Sequence, residues 1–139
     1  MKTELPQAMQ TGSAIPKSVL TVLNQIYQVE KKLTRLPEAY DMRRNIDRIK
    51  DALAEDGLTV FDASGMSCSV GLTYEDPMGQ AFKETRTDLE ATIAGTGTEN
   101  LVVVEVIKPI IRATLKGGEA GSSKIVQRGI VIVESRKGN

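Results

Sequence analysis

Between Pro16 and Leu36, apolar residues recur at Val19, Val22, Ile26, Val29, Leu33 and Leu36, in alternating steps of three and four. That spacing places them on one stripe of a helix. A second run, Met42, Ile46, Ile49 and Leu53, repeats the pattern. The spacing predicts two helices that meet at Leu36-Pro37, because the residue before a proline disfavours helical angles. Strict three-four alternation is the narrow stripe of coiled coils and bundles. Leu20, Leu23 and Tyr27 widen the first stripe beyond what one partner helix covers. A second copy of the chain is the simplest cover, so a homodimer is expected, with two helices per subunit in a four-helix bundle. Its expected dimerisation contacts are Val19, Leu23, Ile26, Leu33, Met42, Ile46, Ile49 and Leu53.

Local signals support the two helices. Pro16 suits a first helical turn, with Ser13 upstream as a cap. Lys31, Lys32 and Arg35 lie where positive charge complements the first helix dipole, and Glu38 and Asp41 do the same for the start of the second. Arg43, Arg44, Arg48 and Lys50 alternate with Asp47 and Asp51, the composition of a solvated helix face. Gly57 is placed to end the helix in a left-handed cap.

After Gly57 the period changes from helical to alternating. Leu58 to Phe61, Met66 to Leu72, Glu84 to Ile93, Leu101 to Ile107, Ile111 to Leu115 and Ile125 to Val133 read as strands. Gly95 to Thr98 is a turn, Gly117 to Ser123 a loop, and Pro109 marks a turn or a sheet edge. Short polar connections suggest an antiparallel meander. The expected class is therefore α+β: a lead-in over 1–15, a dimerising helical hairpin over 16–57, and a small antiparallel all-β domain over 58–139.

Charge and composition narrow the function. The 139 residues hold 18 basic and 18 acidic side chains, so no net charge points to nucleic acid or an anionic membrane. A lone cysteine, Cys68, excludes an internal disulfide and suits a reducing, cytoplasmic setting. No apolar run reaches the length of a membrane span. The chain has no histidine, which removes the commonest general base, nucleophile partner and zinc ligand.

The remaining candidates for chemistry have structural readings. Gly95-Thr-Gly-Thr is followed by a strand, whereas a phosphate loop needs a helix to donate its amides. Cys68 alternates with apolar neighbours as a core thiol does. Asp62, Glu75 and Asp76 sit beside Gly65 and Pro77, as turn formers do. No enzyme activity, metal or cofactor is expected.

The order of motifs resembles the GrpE-type nucleotide exchange factors, co-chaperones of DnaK-type heat-shock chaperones. The matching stretches are Ala54-Glu-Asp-Gly57-Leu-Thr-Val60, Tyr74-Glu75-Asp76-Pro77, the valine-rich Leu101 to Lys108, and Lys124 to Val133. Gln80 stands where that family carries histidine, and Pro109-Ile110 where it carries glycine-tyrosine. The family's arginine-rich closing motif is degraded here to Lys124-Ile-Val-Gln127-Arg128-Gly129, and its long N-terminal stalk has no counterpart. The resemblance implies a bundle that dimerises the protein and a β-wing that favours the open, ADP-releasing state of the chaperone's nucleotide-binding domain. Arg112, Lys116, Lys124, Gln127 and Arg128 would then face that partner. The alternative is a structural or adaptor homodimer that shares the fold without exchange activity.

Overall fold

The computed structural model describes residues 15–61, 64–116 and 123–136. Two helices, α1 (Lys17–Leu33) and α2 (Tyr40–Asp56), are joined through a 3-10 turn at Pro37–Ala39. Seven strands follow: β1 (Leu58–Phe61), β2 (Ser67–Glu75), β3 (Leu89–Ala94), β4 (Leu101–Lys108), β5 (Ile110–Lys116), β6 (Ser123–Gln127) and β7 (Gly129–Ser135).

The helix boundaries have local causes. The Pro16 carbonyl accepts from Val19 and Leu20, so the proline serves as N-cap without a side-chain cap bond. Ser13, the expected cap, lies outside the described residues, as does the lead-in except for Ile15, which is buried. Leu36 is extended ahead of Pro37, as a pre-proline residue must be. Arg43 donates to the carbonyls of Leu33 and Leu36 at 3.1 and 3.2 Å, capping the end of α1 instead of facing solvent. Gly57 is not left-handed: its φ is −70°. Space explains the glycine, because a Cβ there would lie 2.7 Å from the Leu53 carbonyl oxygen.

The first sheet has the order β1-β2-β5-β6, all antiparallel. The second has the order β3-β7-β4, with β3 parallel to β7 and β4 antiparallel to it. One bent ribbon connects them. β4 runs into β5 through Pro109, β6 runs into β7 through Arg128, and each half pairs in a different sheet. A proline has no N–H to give to a ladder, so the ladder breaks there and the strand turns from one sheet to the other. This corner, and the parallel β3–β7 pair, replace the expected meander.

The helices pack on the first sheet, with α2 lying mainly against β2. Leu23 and Ile15 join Val70, Leu72, Ile111 and Ala113 in a first core, with Val19, Leu20 and Leu53 packed beside it. A second core gathers Tyr27, Leu89, Leu101, Val103, Val106, Ile110, Val131 and Val133. The expected dimeric four-helix bundle with a small separate β-domain is therefore corrected. The residues that widen the α1 face, Leu20, Leu23 and Tyr27, are covered by the chain's own strands, so no second helix pair is needed to bury them.

Candidate functional site

A polar cluster lies where α1, α2 and β2 meet. Glu30 on α1 accepts from the Tyr74 hydroxyl at 2.7 Å and from the Lys50 ammonium at 2.9 and 3.2 Å. Helical spacing puts Tyr27 and Glu30 on adjoining turns of α1, and strand alternation turns Leu72 and Tyr74 to the same side of β2. The two rings meet edge to face, 5.7 Å apart at 75°. Lys50 lies 5.0 Å over the Tyr74 ring and Lys31 5.2 Å over the Tyr27 ring, both within cation–π range. Burial, then the bond to Glu30 and its charge, raises the Tyr74 pKa far above its ordinary value. Burial raises Tyr27 as well, followed by the Asp76 carboxylate and then by Glu30. The Tyr27 hydroxyl is buried and makes no hydrogen bond of good geometry. Both phenols are thus held neutral and clasp helix to sheet.

Two further networks lie at the joint between sheets. Asn24 and Gln127 exchange amide bonds at 3.0 and 2.9 Å, and Gln127 also donates to the Pro109 carbonyl at 2.9 Å. Arg86 holds both oxygens of Asp88, at 3.0 and 2.8 Å, and donates to Gln80 and to the Ala81 carbonyl. The Arg86 fork keeps the Asp88 carboxyl below the usual carboxylate range, with a smaller contribution from Arg112.

These contacts account for most of the side chains expected to face a chaperone. Arg112 lies between Glu75 and Asp88, 3.5 and 3.6 Å from their oxygens. Gln127 is bound to Asn24 and Pro109. Arg128 donates to the Leu89 carbonyl at 2.6 Å. Lys124 is half-buried opposite Ala113, and Lys116 ends β5 opposite Ser69. They lie along the β5–β6 ribbon and its corner, and Arg112, Gln127 and Arg128 are engaged by the chain itself. Sequence reasoning missed Tyr27, Glu30, Lys50 and Tyr74 as a cluster. The only signal was Tyr27 beside the apolar stripe.

The expected dimer contacts divide. Leu23 and Leu33 are buried in the chain, and Val19 and Leu53 pack on the first core. Ile26 and Ile46 are half-buried, while Met42 and Ile49 are 59% and 43% exposed. Val22 and Val29, on the Ile26 stripe, are 53% and 42% exposed. Helical spacing of i, i+4, i+7 aligns Val22, Ile26 and Val29 on α1, and likewise Met42, Ile46 and Ile49 on α2.

Compared with models of known families, with curated proteins and with solved structures, the chain matches none. Nothing in these comparisons supports the GrpE-type resemblance. Among the described residues, no group of three or more carboxylates or thiols is placed to hold a metal ion. No helix among them is long and apolar enough to cross a membrane. Cys68 is half-buried and packs beside the first core.

Proposed function

We propose that the protein is a non-catalytic adaptor that holds a partner protein on the outer side of its helical layer. The observation that carries this is the pair of apolar stripes left open there, Val22 and Val29 on α1 and Met42 and Ile49 on α2. Single exposed apolar residues are ordinary, but rows at helical spacing on one layer mark a contact surface. The sheets supply a rigid base, clasped to the helices through Glu30, Tyr74 and Lys50. An exchange factor of the expected kind would need its β-unit to act as a free wing with exposed cations. The helices here lie on that unit, and Arg112, Gln127 and Arg128 are engaged within the chain, which favours the adaptor.

The test is a comparative capture from an extract of the source cells. Three baits are used: the wild-type chain, a Val22→Glu/Ile49→Glu double variant, and Thr73→Glu on the sheet side facing away from the helices. A partner retained by the wild type and by Thr73→Glu, but lost from the double variant, is expected. Identical retention by all three baits would overturn the adaptor reading. Accelerated ADP release from a DnaK-type chaperone would restore exchange activity in its place.

A further inference from the structure

Going beyond the helical layer, we propose that the free edge of β3 takes up an extended segment of another protein, with one large apolar side chain set into the pocket beside Ile93. The Gly129 amide donates to the Asp88 carbonyl, and Leu89 lies opposite Gly129 in a parallel pair. Backbone groups in such a ladder point to alternate sides, so Glu90 and Thr92 turn their N–H and C=O groups to β7. Those of Leu89, Ala91 and Ile93 turn outward. Arg128 occupies the Leu89 carbonyl. Among the described residues, no group bonds the outward N–H and C=O of Ala91 or Ile93.

The opposite edge of the same sheet is closed. The Val103 carbonyl accepts from the Gly79 amide at 3.0 Å, the Val103 amide donates to Gln80 at 2.9 Å, and Phe82 donates to the Leu101 carbonyl at 2.8 Å. This short segment adds to β4 as a further strand would, with Ala81 opposite Val102 and Phe82 packed against the second core. Edges are otherwise blunted by lysine, proline or a bulge. β3 has none of these: its one charge is Glu90, and its register with β7 is unbroken. At Ile93 that edge meets a pocket. Ile93 lies opposite the buried Val133, on the side of the second core, yet is 44% exposed. With Phe82 and Leu101 it walls an open cavity of about 460 Å³, room for an aromatic side chain. A residue directly opposite Ile93 on an added strand points its side chain to that same side.

A second copy of the chain cannot meet both demands. A two-fold contact pairs β3 antiparallel with itself. Centred on Ala91, it sets Leu89 opposite Ile93, but Leu89 is 1% exposed in its own core and its carbonyl is occupied. Centred on Thr92, it offers the pocket only Ala91, which is too short to enter. Centred on Ile93, it sets Ala91 opposite Gly95, whose φ of 82° lies outside an extended ladder. A foreign strand with alternating apolar residues, one of them large, satisfies the edge and the pocket together.

The experiment uses the full chain and a labelled, end-blocked peptide of about eight residues, the span of an ordinary strand. It alternates threonine with valine and carries one central phenylalanine. Fluorescence anisotropy is expected to show binding that weakens at least about tenfold when alanine replaces the phenylalanine. N-methylation of the amides that face Ala91 and Ile93 should abolish binding, and N-methylation of the amides between them should not. In the protein, Ala91→Pro removes only an outward donor, whereas Thr92→Pro breaks the ladder to β7. Ala91→Pro should therefore lose the peptide with little change in urea midpoint, and Thr92→Pro should lower that midpoint much further. No binding, or equal loss with the two methylation patterns, overturns the proposal. So does an Ala91→Pro chain as destabilised as Thr92→Pro, because the outward assignment would then be wrong. Self-association that Ala91→Pro removes would give the edge to a second copy instead. A peptide released by Val22→Glu/Ile49→Glu but retained by Ala91→Pro would belong to the helical layer, and this site would fall while the adaptor stands.

Discussion

Glu30 receives a phenol and an ammonium at once, and this small clasp has a pH signature. Tyr27 and Tyr74 both have native pKa values raised above the ordinary tyrosine value, chiefly by burial. A group raised in this way contributes stability that is complete below its unfolded pKa and is lost as the pH climbs above it. The unfolded value is about 10. The chain has three tyrosines, so Tyr40→Phe leaves these two as its only phenols. In that background, phenolate absorbance should appear only together with alkaline unfolding. A phenolate signal in a chain whose circular dichroism is still native would contradict the clasp. None of this was visible along the sequence, because Tyr27, Glu30, Lys50 and Tyr74 come from three elements whose arrangement only the fold supplies.

At the scale of elements, the corner between sheets is the most exacting feature. Gly129 opens β7 beside it, and its amide donates to the Asp88 carbonyl at 2.9 Å. A Cβ at Gly129 would meet Leu89 Cδ2 at 2.8 Å and Ile110 Cγ1 at 2.9 Å, both in fully packed side chains. Gly129→Ala should therefore cost about 1–3 kcal/mol through forced repacking. Urea midpoints at unchanged slope would measure it; a cost below the error of such curves would show that the corner has slack. Alternation along the sequence did reveal β1 and β5 nearly to their ends and β2 as far as Leu72, and the near-continuous apolar run of Leu101 to Ile107 revealed β4. Alternation failed over Glu84 to Asp88, where Arg86 and Asp88 share the same parity as in a strand but clasp each other in a loop. It also joined β6 and β7 into one strand, because the change of sheet at Arg128 leaves the apolar pattern almost unbroken. The helices were read in the right places, but Leu20, Leu23 and Tyr27 face strands rather than a second helix pair, for period alone does not say whether a sheet or a helix lies beneath. That same ambiguity left the open rows of the candidate site legible as positions but not as surface.

At the scale of the molecule, the two cores should unfold as one cooperative unit. Tyr74 packs against both, and the β4–β5 and β6–β7 strands pass from one sheet to the other. Leu72→Ala in the first core and Leu89→Ala in the second should each lower stability by about 2–5 kcal/mol. Each should shift a single transition, seen alike by far-ultraviolet dichroism and tyrosine fluorescence. Two separated transitions in either variant would show that the sheets unfold independently. The placement of β7 also has a consequence for how the chain is made. β3 and β4 do not pair with each other; both pair with β7, which follows them in the chain. Until β7 emerges, the valine-rich β4 has no central strand to join. The second sheet therefore cannot close until β7 has been synthesised, and in that interval its unpaired apolar strands are exposed to aggregation.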